Sequence, residues 1–126
     1  MPLWNTKDVF VHRKGATLAR EGVVGIIPGS QGTASYIVEG LGNPDSFCSC
    51  SHGAGRVLSR KAAIRTLNME TEVRNLESKG IIHAIRCQDD MQEASGAYKD
   101  IDTVINNESD LVKVKTKLLP IAVIKG

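Results

Sequence analysis

Ser49-Cys50-Ser51-His52-Gly53-Ala54-Gly55-Arg56-Val57-Leu58-Ser59-Arg60 is the stretch on which the reading of this chain turns. Its glycines interrupt what precedes them, and beyond them the apolar period changes. Val57, Leu58, Ala62, Ile64 and Leu67 fit a helix opening at or near Gly55. The Gly-Ala-Gly turn would then deliver bare backbone amides at a helix N-terminus, where the dipole also favours an anion. His52 stands at the mouth of that turn, and Arg56 and Arg60 follow four residues apart. A nucleophile, backbone donors and forked cations brought together in this way suit a phosphate. The same residues also describe an ordinary glycine turn beside a surface or structural histidine, so the rest of the chain has to decide.

Working outward, the pattern mixes strands and helices without repeats. Val9-Phe10-Val11 reads as a short strand entering the polar turn His12-Arg13-Lys14-Gly15, and Val23 to Ile27 reads as a second, stopped by Pro28-Gly29. Ser30 to Thr33 is a loop, Ala34 to Val38 resumes strand character, and Gly40 to Asp45 breaks it. On the other side, Asn68 can cap a helix carrying Met69, Val73 and Leu76 on one face and ended by Gly80. Ile81 to Ile85 follows as a strand, and Asp100 can cap a short helix with Ile101, Val104 and Ile105. Val112, Val114, Thr116 and Leu118 alternate with Lys113, Lys115 and Lys117, which predicts a strand with one buried face and one row of ammonium groups. Such a row reads as a solvated face or a protected sheet edge, with contact to RNA as the alternative. The fold class expected is α+β, a mixed sheet with a few short helices.

With 126 residues, 41% of them hydrophobic, the chain can bury one modest core. Its 16 basic and 14 acidic side chains leave a net charge of +2, so bulk electrostatics would not draw it to nucleic acid or membrane, and any anion site must be local. No long apolar stretch or apolar leader is visible, and a cytoplasmic location without a membrane partner is the expectation. Three cysteines make no disulfide framework. Cys48-x-Cys50-x-His52 would project three soft ligands to one side of an extended segment, but the fourth would have to come from distant His12, His83 or Cys87. The spacing is not that of a zinc knuckle, and no metal ligand is assigned. Gly29-Ser30-Gln31-Gly32-Thr33 lacks the Lys-Ser or Lys-Thr of a Walker-type loop.

Five blocks, taken in order, carry a resemblance. They are His12-Arg13-Lys14-Gly15-Ala16-Thr17, Pro28-Gly29-Ser30-Gln31-Gly32-Thr33-Ala34-Ser35-Tyr36, Ser51-His52-Gly53-Ala54-Gly55-Arg56, Ala97-Tyr98-Lys99-Asp100-Ile101 and Lys125-Gly126. From residue 8 to residue 126 the chain resembles the C-terminal part of the RtcB family, with residues 1–7 left as a non-matching segment. These are GTP-dependent RNA ligases of tRNA splicing, joining a 3′-phosphate or 2′,3′-cyclic phosphate to a 5′-hydroxyl. The resemblance implies that His52 attacks the α-phosphate of GTP and becomes guanylylated, after which the guanylate passes to the RNA 3′-phosphate and is displaced by the 5′-hydroxyl. A neutral imidazole nitrogen suits that step, since it is nucleophilic near neutral pH. It further implies that Gly53, Ala54 and Gly55 admit the phosphate and ribose of GMP, with Ser30 and Ser35 beside it, Tyr98 stacked on guanine and Lys125 at the guanine edge. Arg56, Arg60, Arg13 and Lys14 would hold nucleotide or RNA phosphates.

The departures from the family limit what the chain is expected to do alone. Family members are several times longer and hold manganese with a cysteine and several histidines from an N-terminal portion that has no counterpart here, so a complete ligase is not expected. Leu18 stands where the family usually has arginine, with Arg20 two residues on, and Ser95 replaces a common proline. The partners implied are a guanine nucleotide, RNA, a separate N-terminal ligase half, and further copies of the chain, because a segment of a larger fold leaves apolar surface and sheet edges to cover. Three functions stay open: the guanylate-accepting part of a ligase, a nucleotide- or RNA-binding module without chemistry, and an oligomeric structural remnant.

Overall fold

The computed structural model describes residues 8–125. Strands β1 (Ala16–Leu18) and β4 (Ser49–Ser51) form an antiparallel pair, Ala16 opposite Ser51 and Leu18 opposite Ser49. A second antiparallel sheet holds β2 (Val24–Ile27), β3 (Ser35–Gly40) and β5 (Val112–Leu118), with β3 in the middle. Among the described residues there are three short α-helices, α1 (Arg60–Thr66), α2 (Met69–Ser78) and α3 (Ile101–Asn106), and three 3-10 turns, Pro44–Ser46, Gln88–Glu93 and Ser95–Ala97. The α+β expectation holds, with the sheet resolved into two antiparallel pieces and parallel pairing confined, among the described residues, to one isolated bridge between Ile82 and Ala122.

The helix ends follow local chemistry. Asn68 accepts the amide of Thr71 to open α2, and Gly80, at φ +70°, lies just beyond its end in a left-handed conformation that costs glycine little. Asp100 accepts both the amide and the hydroxyl of Thr103 at the start of α3. Along β3, Tyr36, Val38 and Gly40 point inward and are buried while their neighbours are half-exposed, the period of a sheet with one covered face. That inner face packs with Ile27, Val112, Ile101 and Ile105. The same cluster takes in Cys50 and Ala54, so the residues on either side of the His52 turn are anchored in the core. Burying each such large side chain contributes roughly 1.5–3 kcal/mol.

Several expectations need correction. Residues 9–11 carry no strand, and the strand expected over 81–85 reduces to the single bridge at Ile82. The helix placed at Gly55 opens at Arg60, because the Ser59 hydroxyl accepts the Ala62 amide and Val57 and Leu58 instead donate their amides to the Ala97 carbonyl. β5 does not keep one apolar and one lysine face. Ile37 pairs with Thr116 but Val38 pairs with Val114, so Lys115 is bulged out and the alternation flips at that point. Lys117 therefore shares the inner side with Tyr36, 5.7 Å from its ring, while Leu118 faces outward with Ser35. Only Val112 of this strand is buried.

Candidate nucleotide site

β4 carries the chain into the His52 turn, and a buried acid fixes it there. Glu108, 8% exposed, accepts the Ser51 amide at 2.5 Å and the Ser51 hydroxyl at 2.7 Å. A charge so buried is tolerated because its oxygens are used. The next residue, His52, donates its amide to the Gly15 carbonyl, while its ring is exposed and makes no hydrogen bond among the described residues. Gly53 lies against Pro28, whose carbonyl oxygen would stand 3.4 Å from an added Cβ. Gly55 sits at φ +79° with its carbonyl accepting the Lys99 amide, and Ala54 is buried between them. The glycine turn thus passes into a bridge between Arg56 and Tyr98 rather than into a helix.

Around this turn lies an open cleft of about 940 Å³. Beside the turn itself, Lys14, Gly15, Pro28, Gly29, Arg56, Arg60 and Tyr98 line it. Gly29 and Tyr98 also line a second cleft, of about 440 Å³, whose other residues include Ser30, Gln31, Glu93 and Lys125. Two adjoining hollows, one with the imidazole and one with Ser30 and Lys125, therefore meet at Tyr98. The Gly29 turn between them is tightly specified: an added Cβ would fall 2.0 Å from the Ala34 carbonyl oxygen. Ser30 shares a hydrogen bond with the Thr33 hydroxyl at 2.8 Å and donates to Ser95 at 3.0 Å.

Glu93 joins the polar residues at the seam. Its Oε1 lies 2.7 Å from Arg56 Nη2 and 3.2 Å from Arg60 Nε, and its Oε2 accepts the Tyr98 hydroxyl at 2.5 Å. Arg56 also donates to the Gln92 carbonyl at 2.7 Å and to the Tyr98 oxygen at 3.1 Å, and its guanidinium lies 4.8 Å from the Tyr98 ring centre. Burial alone would raise the Glu93 carboxyl, but the Tyr98 hydrogen bond and the two guanidiniums outweigh it and hold it below the ordinary carboxylate range. Burial, then the bond to Glu93, pushes the Tyr98 phenol up.

Of the residues singled out in the sequence, His52, Gly53, Ala54, Gly55, Arg56, Arg60, Lys14, Ser30, Tyr98 and Lys125 line one or both clefts. Two lie apart from their lining. Ser35 accepts the Gly29 amide at 3.1 Å, shaping the turn from behind. Arg13 reaches back to Ser49 Oγ at 2.8 Å and the Phe47 carbonyl at 3.1 Å, bracing β4. Arg56 and Arg60 meet at Glu93, but Arg56 lies outside the helix on which the sequence placed both. Glu93 and Glu108 escape sequence reading because the Arg56 and Arg60 partners of the one and the Ser51 partner of the other lie 33 to 57 residues away. The Cys48, Cys50, His52 alternation is broken by Cys48 at φ +52°, and Cys50 points into the core, its thiol pushed up to about 11 by burial and by Glu108. Among the described residues no three His, Cys, Asp or Glu side chains gather as a metal-holding group. No helix among them is long and apolar enough to cross a membrane.

Residues 3–126 match the model of the family described as tRNA-splicing ligase RtcB. The chain belongs to the RtcB family. The match begins ahead of residue 8, where the sequence blocks begin, and takes in most of the segment 1–7, which lies outside the described residues. Among RtcB relatives, the RNA-splicing ligase RtcB of Escherichia coli K12 is 47% identical over 123 residues, covering 95% of this chain and 29% of the relative. The tRNA-splicing ligase RtcB of Pyrococcus horikoshii is 43% identical over 136 residues, covering 94% and 16%. The RNA-splicing ligase RtcB of Mycobacterium tuberculosis is 40% identical over 137 residues, covering 95% and 32%. The chain therefore spans under a third of the length of these RtcB proteins.

Proposed function

We propose that this chain is the guanylate-accepting, C-terminal part of an RtcB-type RNA ligase. A ring nitrogen of His52 attacks the α-phosphate of GTP, forming the N–P bond as the bond to pyrophosphate breaks. The guanylate then moves to an RNA 3′-phosphate and leaves as GMP when the 5′-hydroxyl attacks. Lys14, Arg56 and Arg60 flank the phosphate path, and Tyr98, Ser30 and Lys125 receive the base. The observation that carries this reading is the exposed imidazole, without a hydrogen-bond partner among the described residues, in a cleft that adjoins the Ser30 and Lys125 hollow at Tyr98. Glycines around it let a phosphate approach the backbone without a Cβ in the way.

The test is incubation with α-labelled GTP and manganese, alone and with the N-terminal portion of a longer RtcB protein. Acid-labile label on His52, lost in His52→Ala, is expected; no label under either condition removes the reading. His52 is exposed, so that variant should fold within about 0.5 kcal/mol of the parent.

Binding of GMP or RNA without chemistry is the second reading. It is favoured by the hollow of Ser30, Tyr98 and Lys125, whose lining does not include His52. Calorimetric heat with GMP, without covalent label, selects it.

A further inference from the structure

The two arginines of the site are held very differently by one carboxylate. Arg56 is half-buried, its side chain 24% exposed, and is tied to Glu93, to the Gln92 carbonyl and to the Tyr98 oxygen while covering one face of the Tyr98 ring. Arg60 is 66% exposed, and Glu93 Oε1, at 3.2 Å from its Nε, is its one ion-pair partner among the described residues. Both line the His52 cleft, and Glu93 itself lines the neighbouring one. An exposed ion pair of this kind is weak and exchanges readily for a better acceptor, whereas a guanidinium with several partly buried acceptors does not.

We infer that Glu93 is the positioning residue of the site. It clamps Tyr98 and Arg56 into one fixed platform at the seam, and it is the resting acceptor from which an entering phosphate takes Arg60. The inference rests on the nucleotide reading above. Its chemistry is simple. The Tyr98 hydroxyl has Glu93 Oε2 as acceptor, so the ring is oriented before a base arrives and little further freedom of the ring is lost on binding. Oε1 carries Arg56 and Arg60 together. A phosphate oxygen replaces it at Arg60 and leaves the Arg56 contacts intact.

Two variants separate these roles from plain structural support. Glu93→Gln keeps an acceptor for the Tyr98 hydroxyl and removes the charge; Glu93→Ala removes both. Binding of GMP, guanosine and inorganic pyrophosphate is measured by calorimetry on the full chain, with thermal melts beside it. Expected for Glu93→Gln are a guanosine affinity within about twofold of the parent and a pyrophosphate affinity about threefold tighter, because Arg60 no longer has a competing carboxylate. Glu93→Ala is expected to weaken guanosine and GMP about tenfold, as the ring loses its anchor. Equal affinities in all three proteins, or the same loss in both variants for every ligand, would overturn the role given to Glu93. A parent that binds neither GMP nor guanosine overturns the nucleotide reading instead. Should Glu93→Ala fail to fold, Glu93→Gln decides: pyrophosphate bound no more tightly than by the parent refutes the competition.

Discussion

The cleft side of the molecule and the outer face of the three-stranded sheet are built to opposite standards. Around the clefts polar groups are tied over long spans of sequence: Ser51 to Glu108, Arg56 to Gln92 and Glu93, Ser30 to Ser95. On the outer sheet face Val24 and Ile26 are 64% and 60% exposed, Leu118 looks out from the far edge across β3, and, among the described residues, the charges there make one ion pair, Lys115 to Glu39 at 3.0 Å. Burial and hydrogen bonding therefore concentrate where the site is. The difference teaches that, in this chain, the geometry of the site is better specified than the coverage of the sheet. Large losses of stability should come from the first region and small ones from the second.

The largest effect is expected at Gly29. An added Cβ there meets the Ala34 carbonyl oxygen at 2.0 Å and Thr33 Oγ1 at 2.6 Å, and backbone cannot swing aside as a side chain can. Gly29→Ala should cost about 3 kcal/mol and distort the wall shared by both clefts, read as a fall in melting temperature and loss of GMP binding together. Unchanged stability would break the claim that this wall is rigidly specified.

A paired truncation sharpens the comparison directly. Ile101, 2% exposed beneath Tyr36 and Val38, should cost about 3 kcal/mol when cut to alanine. Ile26→Ala on the outer face should stay within about 0.5 kcal/mol. Denaturant midpoints at constant slope give both numbers, and equal losses would mean that the outer face is covered in solution.

How much of this could be read in advance depends on the range of the interactions. Asn68 and Asp100 were legible as caps because the amides they accept lie three residues away. The strand over 112–118 was legible from its alternation, but its bulge at Lys115 was not, since a bulge is a property of the pairing with β3. β1 and β4, at three residues each, are too short to show a period, and they exist by pairing with one another. The start of α1 went astray because Val57 and Leu58 satisfy helical spacing, while the decisive signal was Ser59 three residues before the amide it caps. His52, its glycines and Tyr98 were found through ordered sequence blocks. Glu93 lay in no block and owes its place to partners that only the fold supplies.

Acid titration should bring out the same contrast more gently. Glu93 is held below the ordinary carboxylate range in the folded chain, so its contribution is present above the unfolded value near 4 and is lost as pH falls through the folded one. Asp102, lowered first by its hydrogen bond from Tyr36, adds to the same limb. The melting temperature should fall as the pH drops below about 4, and Glu93→Gln should flatten part of that fall. An identical acid limb in the variant would mean that the seam carries no share of it.

The smallest effect, without any cost to stability, is expected in thiol chemistry. Cys87 is exposed, Cys48 is half-buried, and Cys50 lies in the core under the His52 turn. Burial and the neighbouring Glu108 raise the Cys50 thiol to about 11, so at pH 8 only about one molecule in a thousand carries its thiolate. Alkylation at pH 8 should therefore modify Cys87 first and Cys48 next, and should reach Cys50 only at the rate of unfolding. Mass spectrometry of timed digests distinguishes the three sites. Rapid modification of Cys50 in the folded chain would show that the cleft side opens as freely as the outer sheet face, and the contrast drawn between them would fail at the residue that anchors His52.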